Sequence, residues 1–142
     1  MLPREMSWTC RACKRSFGRC NQSHSCRPSG TADAYFEGRP PVQWKIYQAI
    51  VSYLRKVGPV QLDPVSVGVM IKRNRTFAEV RAKKDCIVLG MLLSRVVEDR
   101  RIAKILRLST HRTAHAVELA RVADFDAVVR SWLKEAFLDS PP

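Results

Sequence analysis

The residues with the clearest chemistry are cysteines near the amino end of the chain. Four of the five cysteines, with one of the three histidines, lie between Cys10 and Cys26. Cys10 and Cys13 have the Cys-x2-Cys spacing, in which two thiolates on a tight turn reach one zinc ion at about 2.3 Å each. His24 and Cys26 can complete a tetrahedral set of nitrogen and sulfur ligands. The segment is therefore predicted to bind one Zn²⁺ ion per chain.

The presence of Cys20 leaves the identity of one zinc ligand undecided at this point. It could replace His24 in a site of four cysteines, or it could be a spare thiol. A third interpretation is that these are ordinary reduced cysteines in a disordered basic tail. A metal site is the better explanation, because clustered cysteines in a reducing compartment favour metal over disulfides.

The predicted zinc site is structural, not catalytic. Catalytic zinc keeps an open coordination position and usually has an acidic residue beside its bound water, and no Asp or Glu occurs between Met6 and Pro28. So short a segment buries little apolar surface, with Trp8 and Phe17 as its main candidates. The metal is therefore expected to supply most of its folding free energy.

The chain is strongly basic, with 25 Lys and Arg against 13 Asp and Glu and a formal net charge of +12. Such a charge favours nucleic acid as a partner, ahead of an anionic membrane surface or an acidic protein. The alternative is a solvated surface whose charges neutralise one another. The candidate nucleic-acid-binding residues are Arg11, Lys14, Arg15, Arg19, Arg73, Arg75, Arg81 and Lys83. A second basic concentration comprises Arg95, Arg100, Arg101, Lys104, Arg107 and Arg112.

Other side chains give little sign of catalysis. No P-loop, dinucleotide-binding, Gly-x-Ser-x-Gly or His-Glu-x-x-His pattern occurs. His115 is predicted to be a hydrogen-bonded core residue on a strand, and Cys86 a buried, inert thiol. Asp124 and Asp126 are interpreted as residues that begin a helix. We therefore predict that the protein is not an enzyme, with His111, His115 and Asp124 as the only candidates for a catalytic role.

The longest uninterrupted apolar stretch is Ile87 to Leu93, far below the roughly 20 residues that a membrane-spanning helix needs. The first residues also lack the apolar core of a secretory signal. We therefore expect a cytoplasmic protein with no membrane partner.

Periodicity predicts the elements that carry these residues. Ile46, Ile50 and Leu54 recur every four residues within a helix from Val42 to Val57, which Gly58-Pro59 ends. A final helix is predicted after Asp124 as its N-cap. Alternating or continuous apolar runs predict strands at 65–72, 78–83, 86–93 and 114–121. The stretch 96–113 is ambiguous, since its apolar spacing suits either a short helix or a strand, and a strand or an irregular connection is favoured. The third of these strands, apolar on both faces, is predicted to lie between layers on each side.

These elements predict an α+β fold. The fold is a two-layer domain in which an antiparallel sheet is packed by an N-terminal and a C-terminal helix, preceded by a small zinc-binding module. The Pro, Ser and Gly residues of 27–31 are typical of a linker. We therefore divide the chain into a zinc-finger-like module with its linker at 1–30 and an α+β domain at 31–142.

The run from Trp8 to Cys26, W-T-C-R-A-C-K-R-S-F-G-R-C-N-Q-S-H-S-C, resembles the N-terminal zinc-finger-like segment of bacterial proteins in the family of domain of unknown function 5655. The Tyr35–Pro41 run Y-F-E-G-R-P-P and the closing W-L-K-E-A-F helix resemble that family's domain. In the family pattern the Cys-x2-Cys pair is followed by Asn-Gln and then His-x-Cys, and the position of Cys20 is usually not cysteine. The resemblance thus implies Cys10, Cys13, His24 and Cys26 as the ligands and a compact α+β fold, but no activity.

Two functions follow as expectations. The first is a non-enzymatic, zinc-stabilised protein that contacts the phosphates of DNA or RNA with little sequence preference. The alternative is a protein-interaction adaptor, with an unidentified protein partner, in which zinc is purely structural.

Overall fold

A computed structural model describes residues 8–9, 16–17 and 31–140. Near the amino end, strands β1 (Trp8–Thr9) and β2 (Ser16–Phe17) form an antiparallel pair. Trp8 lies opposite Phe17 and Thr9 opposite Ser16.

The short helix α1 (Ala32–Phe36) was not foreseen, because five residues carry no periodic pattern. Thr31 caps its first turn, and Tyr35 fastens it to the sheet. The Tyr35 hydroxyl donates to the carbonyl of Val67 at 3.1 Å and accepts from the backbone N–H of Ala82 at 2.8 Å. A single phenol thus joins α1 to two strand ends.

Helix α2 (Pro41–Val57) confirms the predicted amphipathic helix. Its predicted stripe, Ile46, Ile50 and Leu54, has no exposed surface. The helix stops at Gly58, where a Cβ atom would lie 2.6 Å from the ring of Phe137. Glycine is needed there because the chain passes against the C-terminal helix.

Six antiparallel strands form the main sheet, in the order β3-β4-β5-β6-β8-β7. The last two strands in sequence exchange places, so β8 pairs with β6 and β7 lies at the edge. The strands are β3 (Gln61–Val65), β4 (Gly68–Arg73), β5 (Arg75–Ala82), β6 (Ile87–Leu93), β7 (Ile102–Ser109) and β8 (Arg112–Leu119).

The prediction of one strand over 65–72 was wrong, since a turn at Ser66 and Val67 divides that stretch between β3 and β4. Val67 continues the apolar alternation in sequence but is 53% exposed at the turn. The strand at 114–121 is confirmed as β8, and the ambiguous stretch before it contains β7. Strands β3 to β6 pair in chain order as an antiparallel meander.

Among residues 31–140, helices cover only one face of the sheet, so the prediction that β6 lies between two layers was also wrong for this part of the chain. Ile87, Leu89, Met91 and Leu93 are buried, whereas the intervening residues of β6 are half-buried. We call the second face, which carries Glu79, Arg81, Val88 and Gly90, the open face. Charged side chains on the open face lie over smaller residues, and the side chain of Glu79, for example, lies over Gly90.

The C-terminal helix α3 (Ala127–Asp139) begins at Asp126, whose carboxylate accepts the N–H of Val129 at 3.0 Å. The prediction of Asp124 as N-cap was therefore wrong. Asp124 belongs to a short 3-10 turn (Val122–Asp124) and accepts the backbone N–H groups of Ala120 and Arg121. Helices α2 and α3 pack side by side on β5 and β6, which confirms the two-layer α+β class.

Candidate phosphate-binding surface

The predicted zinc ligands Cys10, Cys13, His24 and Cys26, and the alternative ligand Cys20, lie outside the described residues. So do the basic candidates Arg11, Lys14, Arg15 and Arg19. In the described part of the chain, no three His, Cys, Asp or Glu residues are grouped as metal ligands. Both the ligand set and the basic residues between the cysteines remain predictions.

Arg73, one of the four described candidates, is engaged inside the domain. Its guanidinium donates to the carbonyls of Phe137 at 3.0 Å and Ser140 at 3.2 Å, and lies 4.3 Å from the centre of the Phe137 ring. These carbonyls end helix α3, where a cation interacts favourably with the helix dipole. The geometry gives Arg73 a structural role at the carboxyl end of α3.

Arg81 and Lys83 lie beside carboxylates. Arg81 forms an ion pair of 3.2 Å with Glu79, and Lys83 approaches Glu118 to 3.9 Å. These pairs are largely exposed and stabilise the fold little. They nevertheless neutralise much of the positive charge that these two residues would offer to a phosphate.

Arg75, the last of the four candidates, lines a cleft at one end of the sheet. The start of β5 contributes Arg75, the β7–β8 turn contributes His111 and Arg112, and Ser94 and Asp139 follow β6 and end α3. We call these five residues the basic cleft. Its volume of about 120 Å³ is far below the roughly 300–1,000 Å³ of typical small-molecule pockets. It suits one small anionic group.

The basic cleft has a net positive charge because it contains two guanidinium groups and one carboxylate. Asp139 accepts hydrogen bonds from the backbone N–H of Ser94 at 3.2 Å and from its hydroxyl at 3.1 Å. Within residues 31–140, Arg75 and Arg112 have no ion-pair partner. Two guanidinium groups are therefore available at the cleft to a ligand oxygen.

Two residues of the second basic concentration form ion pairs with described residues. Arg95 forms a bidentate ion pair with Glu135, at 2.8 and 2.9 Å. Arg101 bridges Asp99 and Asp126 at 3.1 and 3.0 Å. The N–H of Val129 and the guanidinium of Arg101 lower the pKa of Asp126, so that carboxylate stays ionised. The second basic concentration is thus partly self-neutralising, as the solvated-surface alternative expected.

The candidates for a catalytic role are dispersed. His115 is 1% exposed, which confirms it as a core residue. Its Nε2 accepts from the N–H of Val97 at 2.9 Å, and its Nδ1 lies 3.1 Å from the carbonyl of Thr113, which fits a neutral ring protonated at Nδ1. Cys86 is half-buried, and burial raises the pKa of its thiol, so its nucleophilic form is disfavoured. His111 instead lies exposed in the basic cleft.

Burial lowers the pKa of His115 below its usual value near 6.5. The unfolded chain therefore binds a proton more readily than the native protein, and stability should fall as pH drops below about 6.5. We expect the denaturation midpoint to decrease between about pH 7 and pH 5. His115→Gln, which cannot titrate there, should flatten that part of the profile. An equal pH dependence in the variant would contradict the assignment of this loss of stability to His115. The matched control is His111→Gln, which replaces an exposed histidine.

Arg75 and Arg112 are among the basic residues that the sequence indicated, but the sequence could not distinguish them from neighbours whose side chains are engaged by other groups. Arg75 is two residues from Arg73 in sequence, yet Arg73 is engaged by α3 and Arg75 is not. Only the packing of α3 against the ends of β4 and β6 distinguishes the two. The adjacent Ser94–Asp139 bond joins residues that are likewise distant in sequence.

The α+β domain is similar to one known family. Residues 32–140 match the family of domain of unknown function 5655, and the chain belongs to that family. The match does not extend into the cysteine segment. No curated protein and no solved structure matches the chain. No helix in the described part of the chain is long and apolar enough to span a membrane.

Proposed function

We propose that this protein is a non-enzymatic nucleic-acid-associated protein that contacts phosphates with little sequence preference. Its N-terminal segment binds one structural Zn²⁺ ion through Cys10, Cys13, His24 and Cys26. The basic cleft provides the phosphate contacts of the α+β domain. Selectivity for base sequence is weak because backbone phosphates carry no sequence information directly.

The observation that carries this proposal is the pair of guanidinium groups, Arg75 and Arg112, without ion-pair partners among residues 31–140 at one small cleft. Guanidinium groups donate two parallel hydrogen bonds to phosphate oxygens. The formal net charge of +12 adds long-range attraction for a polyanion. Arg81 and Lys83, the paired residues of the open face, contribute less.

The zinc site is supported by the donor chemistry of the cysteine segment and by the pairing of β1 with β2. Thr9 and Ser16 lie opposite each other, and Cys10 and Cys13 fall in the sequence that connects them. The pairing brings the two ends of that sequence together, which suits a Cys-x2-Cys pair whose two thiolates must approach one ion. Bound zinc would hold the basic residues of this segment in a fixed array.

This function is tested by titrating the full chain into labelled oligonucleotides of mixed sequence, as DNA and as RNA, at low salt. Fluorescence anisotropy should show binding to both, with affinities that change little between sequences. The absence of binding to either nucleic acid would eliminate the proposal. A strong preference for one sequence would contradict its phosphate-directed form.

The alternative of a protein-interaction adaptor has one specific observation in its favour, which is the exposed edge strand β7. Its residues Ile105, Leu106 and Leu108 are 40%, 53% and 54% exposed. A phosphate backbone offers these apolar side chains no favourable contact, whereas a protein partner could bury them.

A further inference from the structure

The two edges of the main sheet are unequal. At one edge, β3 has five residues, contains Pro64 and is contacted by helix α1. Short length, proline and a covering element are among the means by which proteins protect a sheet edge from pairing. Charged side chains and bulges are others, and the opposite edge has these at Lys104, at Arg107 and at the register shifts on either side of them. The opposite edge, β7, has eight residues, contains no proline, and pairs only with β8 among the described strands.

Strand β7 carries two kinds of side chain that a partner could use. Ile105 and Leu106 lie at its centre and are 40% and 53% exposed. Lys104 and Arg107 flank them, and neither has an ion-pair partner in the described part of the chain. The pairing with β8 is regular from Lys104 to Arg107, since the register shifts on either side of that stretch.

The alternation of side chains across a strand fixes what such a partner must present. Lys104 and Leu106 point to one face of the sheet, and Ile105 and Arg107 to the other. An antiparallel strand added to β7 therefore needs an acidic residue opposite Arg107, two apolar residues opposite Leu106 and Ile105, and an acidic residue opposite Lys104. The complementary pattern is acidic–apolar–apolar–acidic.

A second copy of this chain fits the edge less well. Two β7 strands paired about a two-fold axis between Ile105 and Leu106 would place Lys104 directly opposite Arg107. Each copy also brings a formal net charge of +12, so association is opposed at long range. Charge complementarity selects an acidic partner instead.

We propose that the β7 edge binds an extended segment of a partner protein, with the pattern acidic–apolar–apolar–acidic, by adding it as a strand to the sheet. Main-chain hydrogen bonds give affinity in this mode of recognition, and the alternate side chains give specificity. The site borders the basic cleft at the β7–β8 turn but uses different side chains, so it extends the proposed nucleic-acid function and does not depend on it.

The test is an NMR titration of the full chain with a peptide of the same length as β7, Thr-Thr-Glu-Val-Val-Glu-Thr-Thr. We expect saturable shifts in the amides of β7. A peptide with Lys in place of Glu should not bind, and one with Pro in place of a central Val should lose binding because it cannot complete the ladder. Absence of saturable binding by the Glu peptide, or equal binding of the Lys peptide, would overturn the proposal.

Charge exchange makes the test specific to this edge. Lys104→Glu/Arg107→Glu should weaken binding of the Glu peptide roughly tenfold, and should allow the Lys peptide to bind. Arg81→Glu/Lys83→Glu, with the same change in net charge, should leave the affinity nearly unchanged. Equal losses in both double variants would overturn the proposal, as would a β7-dependent dimer of the free protein.

The proposal of nucleic-acid binding at the basic cleft and the proposal of peptide binding at β7 can be contradicted independently. Arg75→Ala/Arg112→Ala, which removes the guanidinium groups of the basic cleft, should leave the affinity for the Glu peptide unchanged. If that variant weakens peptide binding as strongly as the β7 variant, the peptide binds by net charge and the β7 site is excluded. Loss of oligonucleotide binding alone would leave the β7 site standing.

Discussion

Replacing Cys10 or Cys13 with Ser is expected to reduce bound zinc from one ion per chain to none. A serine hydroxyl does not provide the thiolate that structural zinc requires, and three ligands hold the ion far less tightly than four. Because the metal is expected to supply most of the folding free energy of the segment, loss of one ligand should also unfold it. Mass spectrometry under native conditions measures the stoichiometry directly.

Cys20→Ser is the matched control, since it removes a thiol from the same segment and should keep the zinc. Retention of zinc by the Cys10 variant would contradict the ligand set, and loss of zinc from the Cys20 variant would assign Cys20 in place of His24. Trypsin gives a second readout, because the segment contains Arg11, Lys14, Arg15 and Arg19. Chelation should accelerate cleavage there while residues 31–140 persist.

The double variant Arg75→Ala/Arg112→Ala is expected to weaken oligonucleotide binding roughly thirtyfold. Each charge-assisted contact to a partly solvated phosphate contributes about 1 kcal/mol, and the two contacts act on neighbouring phosphate oxygens. The fold should survive, because neither guanidinium has an ion-pair partner among the described residues. Anisotropy titrations at one fixed salt concentration measure the change.

Arg81→Ala/Lys83→Ala removes the same formal charge and serves as the matched control. Those side chains already face Glu79 and Glu118, so their removal should weaken binding only a few-fold. Equal losses in the two double variants would show that net charge alone governs binding. The basic cleft would then have no special role.

The sequence predicted the helices better than the sheet. The four-residue spacing of Ile46, Ile50 and Leu54 defined α2 because a half-buried helix must repeat its apolar positions. Strand β3 escaped notice because Asp63 and Pro64 interrupt its alternation. The secondary structure of β7 was ambiguous because Leu106 is apolar yet exposed at the edge of the sheet. The apolar character of this residue therefore did not indicate whether its side chain is buried.

The site was less predictable than the fold, since a basic residue's role depends on contacts between distant parts of the chain. Arg73 contacts Ser140 across 67 positions of sequence. No local pattern separates it from Arg75, which lies at the basic cleft. The cysteine segment is the reverse case, because its spacing alone predicts the metal.

The salt dependence of oligonucleotide binding tests the central claim most directly. For the full chain on mixed-sequence single strands, log Kd should rise linearly with log salt concentration, with a slope of about 0.7 for each neutralised phosphate. The slope should fall by about 0.7 in Arg75→Ala/Arg112→Ala, which loses the one phosphate that the basic cleft accommodates. An affinity that does not change with salt, or an identical slope in wild type and variant, would contradict a phosphate-directed function at this cleft.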